Sequence, residues 1–190
     1  MNKHLIFVVA IGSLLVTCKG DDYSQELATI DSLKKVLVAT DSIIESLDPA
    51  DVGKKAEEIG NNSKFIQFNV NKLKDTLDFN TALLLTEYRQ TGKYFKQMKA
   101  DFERVDKAID SANVSLDNLA HDLKNNSLAE GIDAKASVKS ESDQVGEMHA
   151  FAQAQVKKKQ ETREAYDTLI PKVNAFVQEI SVKLAASQNK

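Results

Sequence analysis

Residues 95–123 read FKQMKADFERVDKAIDSANVSLDNLAHDL, and their apolar members fall at Phe95, Met98, Phe102, Val105, Ile109, Ala112, Leu116, Leu119 and Leu123. The steps alternate strictly between three and four. That spacing lays one apolar stripe along one face of an α-helix, in the geometry of left-handed bundle packing. Between the stripe positions the chain is almost wholly charged or polar, so the helix is one-sided and requires partners. A strand, with its period of two, would scatter the same residues over both faces.

The same reading extends in both directions. Leu27, Ile30, Leu33, Leu37, Ile44 and Leu47 form a stripe over about 24–47. It is stopped by Asp48–Pro49, since a proline pushes its predecessor out of the α region. A second stripe takes in Val52, Ala56, Ile59, Ser63, Ile66, Val70, Leu73, Leu77, Asn80, Leu84 and Tyr88, predicting a helix over 51–90 with Asp51 as its N-cap. Asn61–Asn62 resembles a turn by composition, but the period runs through it without a phase slip. Thr91–Gly92 predicts a hairpin at 90–93, ahead of a third helix over 94–124 closed by Asn125–Asn126–Ser127. One helix from Asp51 to Lys124, on the order of 110 Å long, is the alternative. Folding back lets one chain bury both halves. Residues 131–143 are small and polar and read as a loop. The last stripe, over 143–186, takes in Val145, Met148, Ala152, Val156, Thr162, Tyr166, Leu169, Val173, Phe176, Ile180 and Leu184. Pro171 lies inside it and predicts a kink, or else a break near Thr168. The fold expected is all-α: an elongated antiparallel bundle of four helices, the last long and kinked near Pro171.

Composition agrees. The 190 residues hold only 7 Gly and 2 Pro and no Trp, with charged residues at 28%. This suits long, surface-charged helices and leaves little from which to build a sheet. Lys+Arg 25 against Asp+Glu 28 gives a net charge of −3 without strong blocks, which offers no nucleic-acid surface. Lys157–Lys159 read as a solvated face.

The N-terminus carries a different message. Met1–Asn2–Lys3–His4 is a short positive start, Leu5–Val16 an apolar run, and Leu15–Val16–Thr17–Cys18 ends it at the only cysteine in the chain. The run is shorter than the about 20 residues of a membrane-spanning helix and reads as the core of an export signal. It resembles a bacterial lipoprotein signal (lipobox), with Thr17 departing from the Gly, Ala or Ser usual at that position. The resemblance implies residues 1–17 as signal peptide, lipid on Cys18, and a tether over 18–23. Lys19–Gly20–Asp21–Asp22 further resembles the acidic tether of surface-exposed Bacteroidetes lipoproteins. Two readings stand beside it: a buried N-terminal element, and a secretory peptide removed without lipidation. Several acyl chains, each CH₂ worth roughly 0.8 kcal/mol, would anchor the protein stably. A lone thiol leaves the domain at 24–187 to hold itself together by packing.

Chemistry-bearing constellations are scarce. Asp117 and His121 share a helical face, where an ordinary surface pair is the simpler reading. Glu147 and His149, two apart, fall on different faces, and the Glu-x-x-His pairs of diiron bundles are absent. No nucleophile elbow or glycine-rich phosphate loop occurs. The expectation is therefore no catalytic, metal or cofactor site. Asn80 within a stripe suggests a register-fixing core residue. Phe65 and Phe68, with Phe79, Tyr88 and Tyr94, lie partly off the stripes. They are either a second packing face or a partner-binding surface, with packing the expected answer.

The function these features predict is a lipid-anchored, non-enzymatic helical module that binds or scaffolds a protein partner at the bacterial envelope. The membrane would be engaged through Cys18 at the outer membrane, on the cell surface or on the periplasmic face. A surface-exposed host- or environment-binding lipoprotein is the alternative, and a metal-dependent or hydrolytic enzyme a more distant one.

Overall fold

A computed structural model describes residues 22–73 and 76–188. Cys18 and the signal-like segment lie outside the described residues. Four helices follow in order: α1, Ser24–Ser46; α2, Pro49–Leu73; α3, Phe79–Asn125; and α4, Ala134–Gln188. No strand occurs among the described residues. No described helix is long and apolar enough to cross a membrane.

The helices pair in three strands, because α1 and α2 lie end to end. Lys34 pairs with Asp117, Gly53 faces Lys99, Ile59 faces Gly92, and Asn62 bonds Tyr88. Partner numbers on α3 thus fall steadily as those on α1 and α2 rise. On α4 they rise in step: Thr40 meets His149, Asp51 meets Arg163 and Glu58 meets Tyr166. The α1–α2 strand is therefore antiparallel to α3 and parallel to α4, and both α1 and α2 pack on α3 and α4. With 55 residues, α4 makes the molecule a rod about 80 Å long.

The break at Asp48–Pro49 occurs where the sequence places it, but it does not reverse the chain. Asp48 sits at φ 48°, in the left-handed region. Its N–H bonds the Glu45 carbonyl while its own carbonyl accepts the Val52 N–H. One helix is closed and the next opened along nearly the same line.

The reversal expected at 90–93 is corrected. Helix α3 runs through Thr91–Gly92, because Gly92 is the point at which α3 passes over Ile59. A Cβ there would lie 2.5 Å from Ile59 Cγ2. The chain instead turns after Leu73, ahead of Asp78, whose carboxylate accepts the Asn80 and Thr81 N–H groups. Half-buried Leu77 carries the apolar period across the turn, which is why no phase slip betrayed it. Asn80 is consequently exposed in the first turn of α3 and is not a core residue.

Helix α3 ends on Asn126 in the left-handed conformation, φ 49°. The loop expected over 131–143 is short, because Asp133 caps α4 through the Lys135 and Ala136 N–H groups. Ala134, Val138 and Val145 then enter the core. Helix α4 continues through Pro171, whose ring lies on the exposed side, where the Asp167 carbonyl can turn toward water. The core stripe of α4 takes in Gln155 rather than Val156, which is exposed. Tyr88, Phe95, Met98 and Leu116 from α3 and Ile180 from α4 are among the largest fully buried side chains of the core.

Candidate functional surface

Near the middle of the rod, at the handover from α1 to α2, polar side chains enter the interior. Asp101 is buried and accepts from Gln97 at 3.0 Å, with Arg104 at 3.3 Å and Lys158 at 3.6 Å. Asp51 pairs with Lys55 and with Arg163. The Lys55 hydrogen bond, foremost, holds the Asp51 carboxyl below its ordinary 3.8. Tyr166 donates to Glu58 Oε2 at 2.8 Å, packs edge-on to Phe95 at 5.9 Å, and lies under Lys55 Nζ. Burial, then the Glu58 hydrogen bond, pushes its phenol well above the ordinary 10.0. Tyr88, also raised by burial, accepts from Asn62 at 3.1 Å.

These groups satisfy one another. Buried polar pairs of this kind fix the register between helices, because a slip would strand them in a low dielectric. Gln155 Oε1 is the exception, buried without a hydrogen-bond partner among the described residues. The nearest approach to a nucleophile–base pair is Thr40 Oγ1 with His149 Nδ1 at 2.9 Å. Thr40 is fully buried, however, and its hydroxyl donates to the Val36 carbonyl.

The other sequence candidates separate. Asp117 is taken by Lys34, and His121 Nε2 meets the Asn125 amide, so the two do not converge. His149 Nε2 meets Gln153. Among the described residues no three His, Cys, Asp or Glu groups could hold a metal ion. Of the three lysines, Lys157 pairs with exposed Glu161, while Lys158 reaches buried Asp101.

Phe65 and Phe68 also part company. Phe65 is half-buried against the core, whereas Phe68 is 69% exposed. Phe68 lies near the α2–α3 turn, as do Phe79, 80% exposed, and Leu83, 47% exposed. Large apolar side chains left in water at one end of a rod are the feature of this surface most suited to a protein partner. Leu83 was hidden in the run Leu83–Leu84–Leu85, where sequence alone does not say which leucine faces out.

No family model matches this chain, and no curated protein or solved structure matches it either.

Proposed function

We propose that the chain is a lipid-anchored, non-enzymatic helical rod that binds or scaffolds a protein at the bacterial cell envelope, with its apolar tip as the contact surface. The observation that carries this reading is the placement of the two ends. Helix α1 starts at Ser24, directly after the segment read as a tether, where Asp22 accepts the Ser24 N–H at 3.0 Å. Phe68 lies 44 residues further along the same strand direction, about 66 Å at 1.5 Å per residue. A rigid spacer between anchor and recognition end suits a scaffold. Polar groups already bonded to one another inside the bundle suit a structural role.

Mass spectrometry of the mature N-terminus tests the anchor. An acylated Cys18 is the expected result, with membrane retention lost in Cys18→Ala. An unmodified soluble form from wild-type cells would defeat the reading. Lys19–Gly20–Asp21–Asp22 favours display on the cell surface, in which case protease added to intact cells removes the domain. Protection until the outer membrane is opened would place it on the periplasmic side.

A further inference from the structure

The long trough between the α1–α2 strand and α3 carries its charge in two blocks of opposite sign. Its distal half is a groove of about 800 Å³ floored by Gly53, Ala56 and Gly60 and rimmed by Lys64, Arg89, Lys93 and Lys96, which outnumber its one carboxylate beyond the shared Glu103, that of Glu57. The half nearer Ser24 is a groove of about 540 Å³ floored by Ile44 and Phe102 and rimmed by Asp41, Glu45, Asp48 and Asp106. Lys99 and Glu103 line both, and they pair with each other at 3.7 Å. The trough is therefore continuous, and its sign changes beside Gly53, which lies against Lys99.

Two observations mark this face as unfinished. Arg89, Lys93 and Lys96 stand four and three apart on one helix, so they repel one another, and none has an ion-pair partner among the described residues. The floor is also smaller than the fold requires. A Cβ at Gly60 would meet nothing within 4 Å, and one at Gly53 only the flexible stem of Lys99. Glycine inside a helix costs stability. Gly92 repays that cost within the chain by making room for Ile59; Gly53, Gly60 and Gly146 do not, and of these Gly53 and Gly60 share the one groove.

We propose that the trough is a homodimer interface, covered by a second copy of this chain about a two-fold axis through the Gly53–Lys99 level. A uniformly anionic occupant would suit the basic block and be repelled by the acidic one. The chain's own trough, turned end for end, matches both. A two-fold interface must be self-complementary in this way, each patch meeting its counterpart twice. The register agrees: along the rod, Lys93 and Lys96 lie about 5–10 Å to one side of the axis, and Glu103 and Asp106 about 5–10 Å to the other. Lys64 and Arg89, at about 16 Å, match Asp41 and Glu45, at about 12–18 Å. A face about 40 Å by 20 Å covers roughly 800 Å² per copy, the usual size of a stable interface. The two anchored ends would fall at opposite ends of the pair, so a dimer anchored at both ends lies along the membrane, and the spacing of the tip from the anchor proposed above belongs to the single chain.

Sedimentation equilibrium of the full chain in a non-ionic detergent tests this. The wild type should dimerise, more weakly as salt rises from about 0.05 M to about 0.5 M. Lys93→Glu/Lys96→Glu and Glu103→Lys/Asp106→Lys should each weaken self-association about 100-fold or more while keeping helical content, because like charges then face each other. An equimolar mixture of the two variants should recover a mixed dimer. Gly60→Leu, whose Cβ meets nothing within 4 Å in the single chain, should also separate the copies while keeping helical content. A wild type monomeric at every concentration, or a dimer indifferent to both reversals, would overturn the proposal. So would a monomer that binds phosphatidylglycerol vesicles through Lys93 and Lys96.

Discussion

Replacing Gly92 with alanine should destabilise the protein, although alanine is the better helix former by about 1 kcal/mol. The added Cβ would lie 2.5 Å from Ile59 Cγ2 and 3.2 Å from Ile59 Cβ. Ile59 is 2% exposed and β-branched, so its Cγ2 can move aside only by leaving its preferred χ1. Overpacking of this kind costs about 1–3 kcal/mol, which offsets or outweighs the helical gain and leaves a net loss of about 1 kcal/mol. Gly146 provides the contrast, since a Cβ there meets nothing within 4 Å and Gly146→Ala should gain the full helical term. For a chain of this size 1 kcal/mol moves the melting temperature by about 2–4 °C, so the two alanines should shift it in opposite directions. Thermal and urea unfolding followed by circular dichroism would measure both. In an Ile59→Ala background, itself costing about 2–5 kcal/mol, Gly92→Ala should do less harm, because the nearest atom is gone. If Gly92→Ala stabilised as Gly146→Ala does, α3 would not pass over Ile59, and the pairing of α2 with α3 described above would be wrong.

Phe65→Ser should lower the melting temperature clearly, while Phe68→Ser should leave it close to wild type; equal losses at both would show that Phe68 is covered. Asp101→Ala should cost about 0.5–1.5 kcal/mol in urea unfolding, the net worth of the lost bonds, since exposed Gln97 and half-buried Lys158 can turn to water, and a neutral outcome would count against the polar layer. The Tyr166 phenol is raised above its ordinary 10.0, so its contribution is complete below that pH and is lost as pH rises toward the folded value. Wild type should therefore lose stability above about pH 10 more steeply than Tyr166→Phe; parallel curves would contradict the burial of this hydroxyl.

Helix type and most of the core were legible because apolar residues three and four apart recur along all four helices. Direction was not. Asp48–Pro49 stops a helix whether the chain then reverses or carries on in line. The choice is made by Ile59, Asn62 and Glu58 finding partners far away in sequence. Thr91–Gly92 looked like a turn by composition, yet the glycine serves a close helix crossing that only the neighbour reveals. The real turn kept the apolar period through Leu77, and its clearest local sign was Asp78 placed to cap Asn80 and Thr81. Residues 131–143 read as loop because they are small and polar, although Ala134, Val138 and Val145 already hold the helical spacing. At the surface, Phe65 and Phe68 share a residue type and a neighbourhood. Their fates differ only because Phe65 meets the core and Phe68 does not.

The in-line course of α1 and α2 underlies both the spacing of the apolar tip from Ser24 and the two-block trough. It can be measured with nitroxide labels at Lys35→Cys and Asn61→Cys in a Cys18→Ser chain, diluted with unlabelled protein. Both positions are exposed. Along one straight strand, 26 residues separate them by about 39 Å, and a pulsed dipolar distance near that value is expected. A reversal at Asp48–Pro49 would bring the two helices to about 10 Å apart at the same level. A distance below about 20 Å would contradict the account.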